Sequence, residues 1–486
     1  MCILNGERRE ILMKSIQRIA LRLIVRIAPV MFIVLCGIPA FGADLKTTIN
    51  AGDTAWLLCS TAMVMLMTAP GLALFYGGLV SHRNILSTLM HSFFMVCLIS
   101  IQWIVIGYSI SFGSDIHGIV GGLNHFLFNG VGTEPIANGS VPHLAFAMYQ
   151  SMFAVITVAL ITGSFAERMR FTPFIIFSLL WASFIYDPLA HWVWGGGWLM
   201  TLGALDFAGG TVVHISSGVS ALVAAVVIGR RVGYPEKTSP PHNLPLTLIG
   251  GCLLWFGWFG FNAGSALSSG GLAAIAFATT NTAAAAAGIT WAAIEWFRRG
   301  KPTVLGAITG TVAGLVAITP ASGYVSVACA MIIGAGAAFV CYWGVNTLKR
   351  RFGYDDALDV FGVHGLGGTW GALATGIFAS KVINPAGANG LLFGNPRQLL
   401  IQAIGVVATW LLAGSGTFVI LKVVGALTRL RVSEEEEKMG IDLAYHGEFG
   451  YHFLESHPTA MVEIAATEKP TFSVVPIMEE SKAAGD

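Results

Sequence analysis

Asp359 to Gly376, DVFGVHGLGGTWGALATG, is an apolar stretch laced with glycine that carries an Asp and a His into what reads as a membrane-spanning helix. A second stretch, Asp206 to Ala224, DFAGGTVVHISSGVSALVA, is a loose copy: an Asp opens it, a His follows, and small residues surround both. Its His214 and the first stretch's His364 are 150 positions apart. An ionisable side chain at bilayer depth is costly. One in each of two similar segments therefore points to a shared polar device in an otherwise apolar path.

Composition supports this reading. Of 486 residues, 55% are hydrophobic and 11% charged, against about 25% charged in an ordinary soluble domain. The chain reads as an all-α polytopic membrane protein, and a water-facing globule is excluded. The formal net charge of +1 identifies no partner, and nucleic acid is not an expected ligand. Seven cysteines fall singly, most of them in apolar runs and with no CxxC pair, so neither a disulfide frame nor a zinc site is expected. No catalytic residue, metal site or cofactor is assigned, and the chain is not read as an enzyme.

The N-terminus has basic residues (Lys14, Arg18, Arg22, Arg26), then an apolar run from Ile27 to Pro39, then Ala40, Gly42 and Ala43. That order reads as a signal peptide over 1–43, leaving the mature N-terminus outside. The alternative, an uncleaved first span, is disfavoured because the apolar run falls short of the about 20 residues a spanning helix needs. From Thr54 onward eleven spans are expected, near 54–80, 85–112, 143–166, 171–188, 206–229, 244–266, 272–296, 303–319, 322–347, 360–379 and 398–427.

The loops after the odd-numbered spans carry Arg83, then Arg168 and Arg170, then Arg230, Arg231 and Lys237, then Arg298, Arg299 and Lys301, and finally Lys349, Arg350 and Arg351. The intervening loops 113–142, 189–205, 267–271 and 320–321 hold no Lys or Arg. The positive-inside rule then places the C-terminal tail in the cytoplasm, in a cell inner (cytoplasmic) membrane. Related motifs in the fifth and tenth spans suggest two five-helix halves plus one extra helix. Because five is odd, tandem copies insert upside down relative to each other, which sets a transport path between them near the midplane. Glycines at helical spacing, such as Gly306, Gly310 and Gly314, or Gly367 and Gly371, read as close helix packing.

Eight motifs carry a family resemblance: PGLALFYGGLV (70–80), FAERMRF (165–171), AHWVWGGGWL (190–199), DFAGGTVVHISSG (206–218), PHNLP (241–245), GWFGFNAGSA (257–266), DDALDVFGVHGLGGTWG (355–371) and RVSEEEEKMGIDLAYHGE (431–448). Together they resemble the ammonium transporter (Amt/Mep/Rh) family, bacterial Amt branch, over about residues 50–452. The resemblance implies a homotrimer with one pore in each subunit. It implies an outer ammonium site at Phe153, Trp194 and Ser265, with Phe153 and Phe261 stacked as a gate. It also implies that His214 and His364 line the pore and relay a proton. Methylammonium is a further candidate substrate.

Ammonium and potassium are similar in size and charge, but ammonium donates directional hydrogen bonds and can lose a proton. An aromatic cup attracts a cation by about 0.5–2 kcal/mol, and a nearby hydroxyl accepts an N–H that potassium lacks. An apolar lumen is far less costly to neutral ammonia than to the ion. Asp206 and Asp359 read as caps at the starts of their helices, and the resemblance implies that Asp206 holds backbone near the cup. A metal shared by these four residues fits helix geometry badly. Asp206 lies eight residues before His214, a rise of about 12 Å, and Asp359 five before His364, about 7.5 Å. His191 is left between a vestibule role and an interface role, while Asp187 departs from the neutral residue expected there and bears on the charge of the mouth.

The tail from 431 to 455 is charged. By resemblance it docks on the trimer's inner face and meets a PII-type signal protein. Residues 456–486 read as a disordered extension. The competing functional readings are an ammonium sensor signalling through the tail and a passive ammonia channel of the Rh type. The absence of an output domain after the last span favours transport over sensing, and the cation cup argues against a channel for the neutral gas.

Overall fold

The computed structural model describes residues 48–451, apart from 138 and 237–239. The expected signal peptide and the extension beyond 456 lie outside the described residues. The helices in chain order are α1 (Ala51–Leu79), α2 (His82–Phe112), α3 (His143–Ser164), α4 (Phe171–Leu202), α5 (Gly210–Ile228), α6 (Leu244–Gly264), α7 (Gly271–Arg299), α8 (Val304–Ile318), α9 (Val327–Phe352), α10 (Phe361–Phe378) and α11 (Pro396–Leu427). Starts are fixed by side-chain caps: Asn50 accepts from Asp53 N, Asn243 from Leu246 N, Thr303 from Gly306 N and Ser326 from Cys329 N.

The protein is an all-α membrane protein, and among the described residues nine helices are long and apolar enough to cross a bilayer. The expected eighth and tenth spans are not among the nine: α8 has 15 residues, and α10, a π turn running into 13 α residues, has its apolar side chains diluted by glycine. The expected loop 189–205 is largely helical. Helix runs on to Trp194, bends at Gly195–Gly197 and resumes over Trp198–Leu202, because AHWVW is apolar enough to continue. Four of the π turns fall in matching places, while those in α1 and α2 have no counterpart in α6 and α7. Gly210–Ile215 and Phe361–Gly365 open α5 and α10, and Ala182–Tyr186 and Gly344–Leu348 interrupt α4 and α9. Two copies of one five-helix unit would leave this pattern.

Glycine sets the close crossings. A Cβ on Gly218 would stand 2.1 Å from Gly365 N, so α5 and α10 meet backbone to backbone beside His364. At Gly371 a Cβ would lie 2.2 Å from Ala317 O, which fastens α10 to α8.

At the end of the bundle away from Trp194, charge is concentrated. The Arg168 side chain is fully buried and donates to the carbonyls of Ser164, Gly229 and Asp355 at 2.8, 2.8 and 2.5 Å, tying the ends of α3 and α5 to the approach to α10. Beside it Arg231 pairs with Glu167 at 2.6 Å and with Asp355 at 2.8 Å. The tail lies across this cluster. Val432 N donates to Arg168 O at 3.0 Å, and Glu437 accepts from Val232 N at 2.6 Å and pairs with Arg431 at 2.7 Å. Asp442 accepts from Leu86 N and Ser87 N at 2.9 and 2.7 Å, capping the start of α2. The tail therefore docks on its own chain's loops.

Burial pushes the Glu167 carboxyl up, but Arg231 and bonds from Asn84 and Ser81 more than offset this and hold it low. Asp355 is likewise raised by burial and lowered further by its bonds to Arg231. With both folded values depressed, their stabilisation is present above the unfolded value of about 4 and lost as pH falls through the folded values. The melting temperature in lipid nanodiscs should therefore fall on acidification below about pH 4. Arg231→Met should cost about 3–5 kcal/mol at neutral pH by leaving two carboxylates unpaired. It should also reverse the slope, so that acid stabilises the variant.

Candidate pore and its mouth

A cavity of about 660 Å³ opens at the Trp194 end of the bundle. Phe153, Trp194 and Ser265, drawn from three separate helical segments, all line it. Trp194 ends one of these segments and is held by a bond from its Nε1 to Asp206 O at 2.9 Å. Its ring meets Phe153 edge to face, with centroids 6.0 Å apart and planes at 85°. The Ser265 hydroxyl donates to Phe261 O at 2.9 Å, so its oxygen is left to act as an acceptor. Tyr149 OH stands 3.2 Å from that oxygen and 2.9 Å from Phe261 O.

The floor of the cup is closed. Phe153 and Phe261 stack with centroids 4.2 Å apart and planes at 28°, and both are buried. Below the pair, His214 lies 6.0 Å from the Phe261 ring and stacks on Trp258 at 5.3 Å. Trp258 is itself fixed by donating to Thr319 Oγ1 at 2.9 Å. The two histidines meet, with Nδ1 of His364 3.2 Å from Nδ1 of His214. One of these nitrogens must carry the proton and the other accept it, because two lone pairs do not bond. His214 Nε2 is buried with no partner among the described residues. On the far side, His364 borders a small apolar gap lined by Phe75, Tyr76 and Leu160.

Both histidines sit on π turns, at Gly210–Ile215 and Phe361–Gly365. Such turns often mark functional positions because they displace a side chain from the regular helical track. The cap expected at Asp206 is present: Oδ1 accepts from Gly209 and Gly210 N at 2.8 and 2.6 Å, and Oδ2 from Thr211 and Val212 N at 2.8 and 3.1 Å. Gly209, at φ 107°, makes the tight turn that this wrap requires.

The matching cap expected at Asp359 is absent. The Asp359 carboxylate pairs with Lys349 Nζ at 2.7 Å, and Asp356 takes the capping role, accepting from Phe361 N at 2.7 Å. Asp356 lies eight residues before His364, the same spacing as Asp206 to His214, so the repeat was present in DDALDVFGVH.

Sequence reasoning also missed Gln402 and Trp258. Gln402 is buried on α11. Its Oε1 accepts from Leu205 N and its Nε2 donates to Leu205 O, both at 2.7 Å, and Nε2 also approaches Ala372 O at 3.2 Å. The amide thus clamps the residue before Asp206 to α10. His191 is buried between Ser111 O at 3.0 Å and Asp115 Oδ1 at 2.9 Å, away from the cavity wall.

Leaving both Leu205 groups unpaired costs about 1–3 kcal/mol. Gln402→Leu should therefore loosen the cup and raise the half-saturating ammonium concentration about tenfold, 1.4 kcal/mol per decade, with a smaller loss of maximal flux. Titrating transport in proteoliposomes checks this. An unchanged half-saturation would show that the cup is held without Gln402.

Known proteins resemble this chain over most of its length. The profile of the Ammonium Transporter Family matches residues 55–451. The ammonium transporter of Bacillus subtilis is 53% identical over 401 residues, covering 82% of this chain and 98% of the relative. Ammonium transporter Amt1 of Archaeoglobus fulgidus is 49% identical over 401 residues, 82% of this chain and 99% of its own. Among solved structures, Mep2 of Candida albicans superposes with a TM-score of 0.77 at 36% identity, covering 84% of this chain and 92% of that one. With the profile spanning most of its length and relatives at about half identity, this chain belongs to the ammonium transporter family.

Proposed function

We propose that this ammonium transporter recruits the ammonium ion at the outer cup, strips a proton there, and conducts ammonia through the histidine-lined path with net movement of charge. The observation that carries the reading is the His214–His364 contact at 3.2 Å directly beneath the stacked Phe153–Phe261 pair.

In the cup, Phe153 and Trp194 offer π density and Ser265 offers an acceptor, so a cation with N–H donors gains from both. The stacked rings leave no continuous water column, and a bare cation crossing them would lose its hydration without replacement. Neutral ammonia keeps a partner at each step: first Ser265, then the imidazole nitrogens. His214 Nε2, without a partner in the described residues, is one such station. The shared Nδ1 proton gives the pair a donor and an acceptor face and a means of passing a proton along.

The same reading holds that the chain spans the inner membrane eleven times, with its tail in the cytoplasm, and assembles as a homotrimer. The docked tail would then be the surface that a PII-type signal protein meets. The cup favours transport of the ion over passive conduction of the gas, because a channel for ammonia has little use for π and hydroxyl ligands.

Charge movement decides the matter. Purified protein in liposomes on a solid-supported membrane should give a transient current on an ammonium jump and none on an equal potassium jump. Replacing His214 and His364 together by Ala should abolish the current or let potassium carry it. Silence, with ammonia still equilibrating in a pH-dye assay, would replace this mechanism by gas conduction, and silence in both assays would favour the sensor.

A further inference from the structure

Two π turns mark the contact between α2 and α4. Gln102 immediately precedes the turn Trp103–Gly107, and Asp187 immediately follows the turn Ala182–Tyr186. The two side chains meet, with Gln102 Nε2 donating to Asp187 Oδ2 at 2.7 Å and approaching Ser183 Oγ at 3.1 Å. Asp187 is 0% exposed and Gln102 6%. Neither lines the mouth cavity, so Asp187, expected from the sequence to bear on the charge of the mouth, does not reach it.

What remains is an imbalance of hydrogen-bonding groups. Asp187 Oδ1 and Gln102 Oε1 are both buried acceptors without a partner among the described residues. The ion pairs formed among the described residues lie elsewhere, so no Lys or Arg neutralises the carboxylate. His191, one turn on, is engaged by Ser111 and Asp115, and the adjacent Tyr186 hydroxyl is buried without a partner. Ser111 Oγ reaches the Asp187 backbone carbonyl at 3.3 Å. An isolated buried carboxylate is strongly unfavourable, and so is an amide oxygen stripped of water. A single positive charge between the two acceptors removes both penalties.

We propose that Asp187 and Gln102 form a binding site for one positive charge, occupied by a proton on Asp187 Oδ1 that is donated to Gln102 Oε1. Acid and amide then close into a reciprocal pair, each donating once and accepting once. The proton comes from a hydronium ion of the solvent, whose O–H bond breaks to leave water as the carboxyl O–H bond forms. The pair fastens α2 to the helical segment that ends at Trp194 seven residues on, about 10 Å at 1.5 Å per residue. A bare sodium ion is the other small cation that oxygen acceptors would take.

Infrared spectroscopy of the full-length protein in lipid at neutral pH tests the assignment. The wild type should show the C=O stretch of a protonated carboxyl, unaffected by exchanging sodium for potassium. The band should vanish in Asp187→Asn, which keeps the reciprocal pair and should retain ammonium-evoked current within about twofold. It should shift in Gln102→Leu, which removes the amide. If Asp187→Asn does not fold, the Gln102→Leu shift decides. A wild type without the band, a band untouched by both substitutions, or a band that appears only when sodium is withdrawn would overturn the proton assignment.

Discussion

A buried polar group with no access to water must find its partner inside the protein, and that constraint orders this fold. Many polar side chains are buried in the bundle, and most are visibly tied. Trp258 is bonded to Thr319, Gln402 to Leu205, Asp206 to four backbone amides and His364 to His214. The glycine seams serve the same end. They bring α5 and α10 close enough for two imidazoles, each on its own helix, to satisfy one another.

The aromatic groups extend this logic along the path. Phe153 takes part in both the cup and the gate, edge-on to Trp194 and face-on to Phe261. One ring therefore links recruitment at the mouth to exclusion of water below it. Trp258 does comparable work one layer down, holding the plane of His214 by stacking. The indole of Trp194 is oriented by the backbone at Asp206, which in turn is oriented by α5 and by Gln402 on α11. The mouth is thus set by helices far apart in sequence.

Much of this was legible in the sequence, and the exceptions have physical reasons. Composition gave the membrane class, and the residues that the resemblance named, Phe153, Trp194, Ser265, Phe261, His214 and His364, stand in successive contact. The cap on the second repeat was misread because Asp359 opens the apolar run. Its repeated spacing, eight residues before the histidine, pointed to Asp356. The helix through 189–205 was missed because glycine and the lack of charge read as loop, although AHWVW is itself apolar. Gln402 left no local trace. A lone glutamine in an apolar helix acquires meaning only when Leu205, nearly two hundred residues away, arrives beside it.

The tail carries a consequence of its own. Asp442 supplies the carboxylate that closes the first turn of α2, so the tail completes one of the earliest helices. A tail joined in this way cannot be an idle appendage. When it lifts, two backbone amides at the start of α2 are bared, and the positive end of that helix faces whatever is present. Displacing the tail thus changes the electrical character of the surface it leaves, and acidic groups are favoured there in its place.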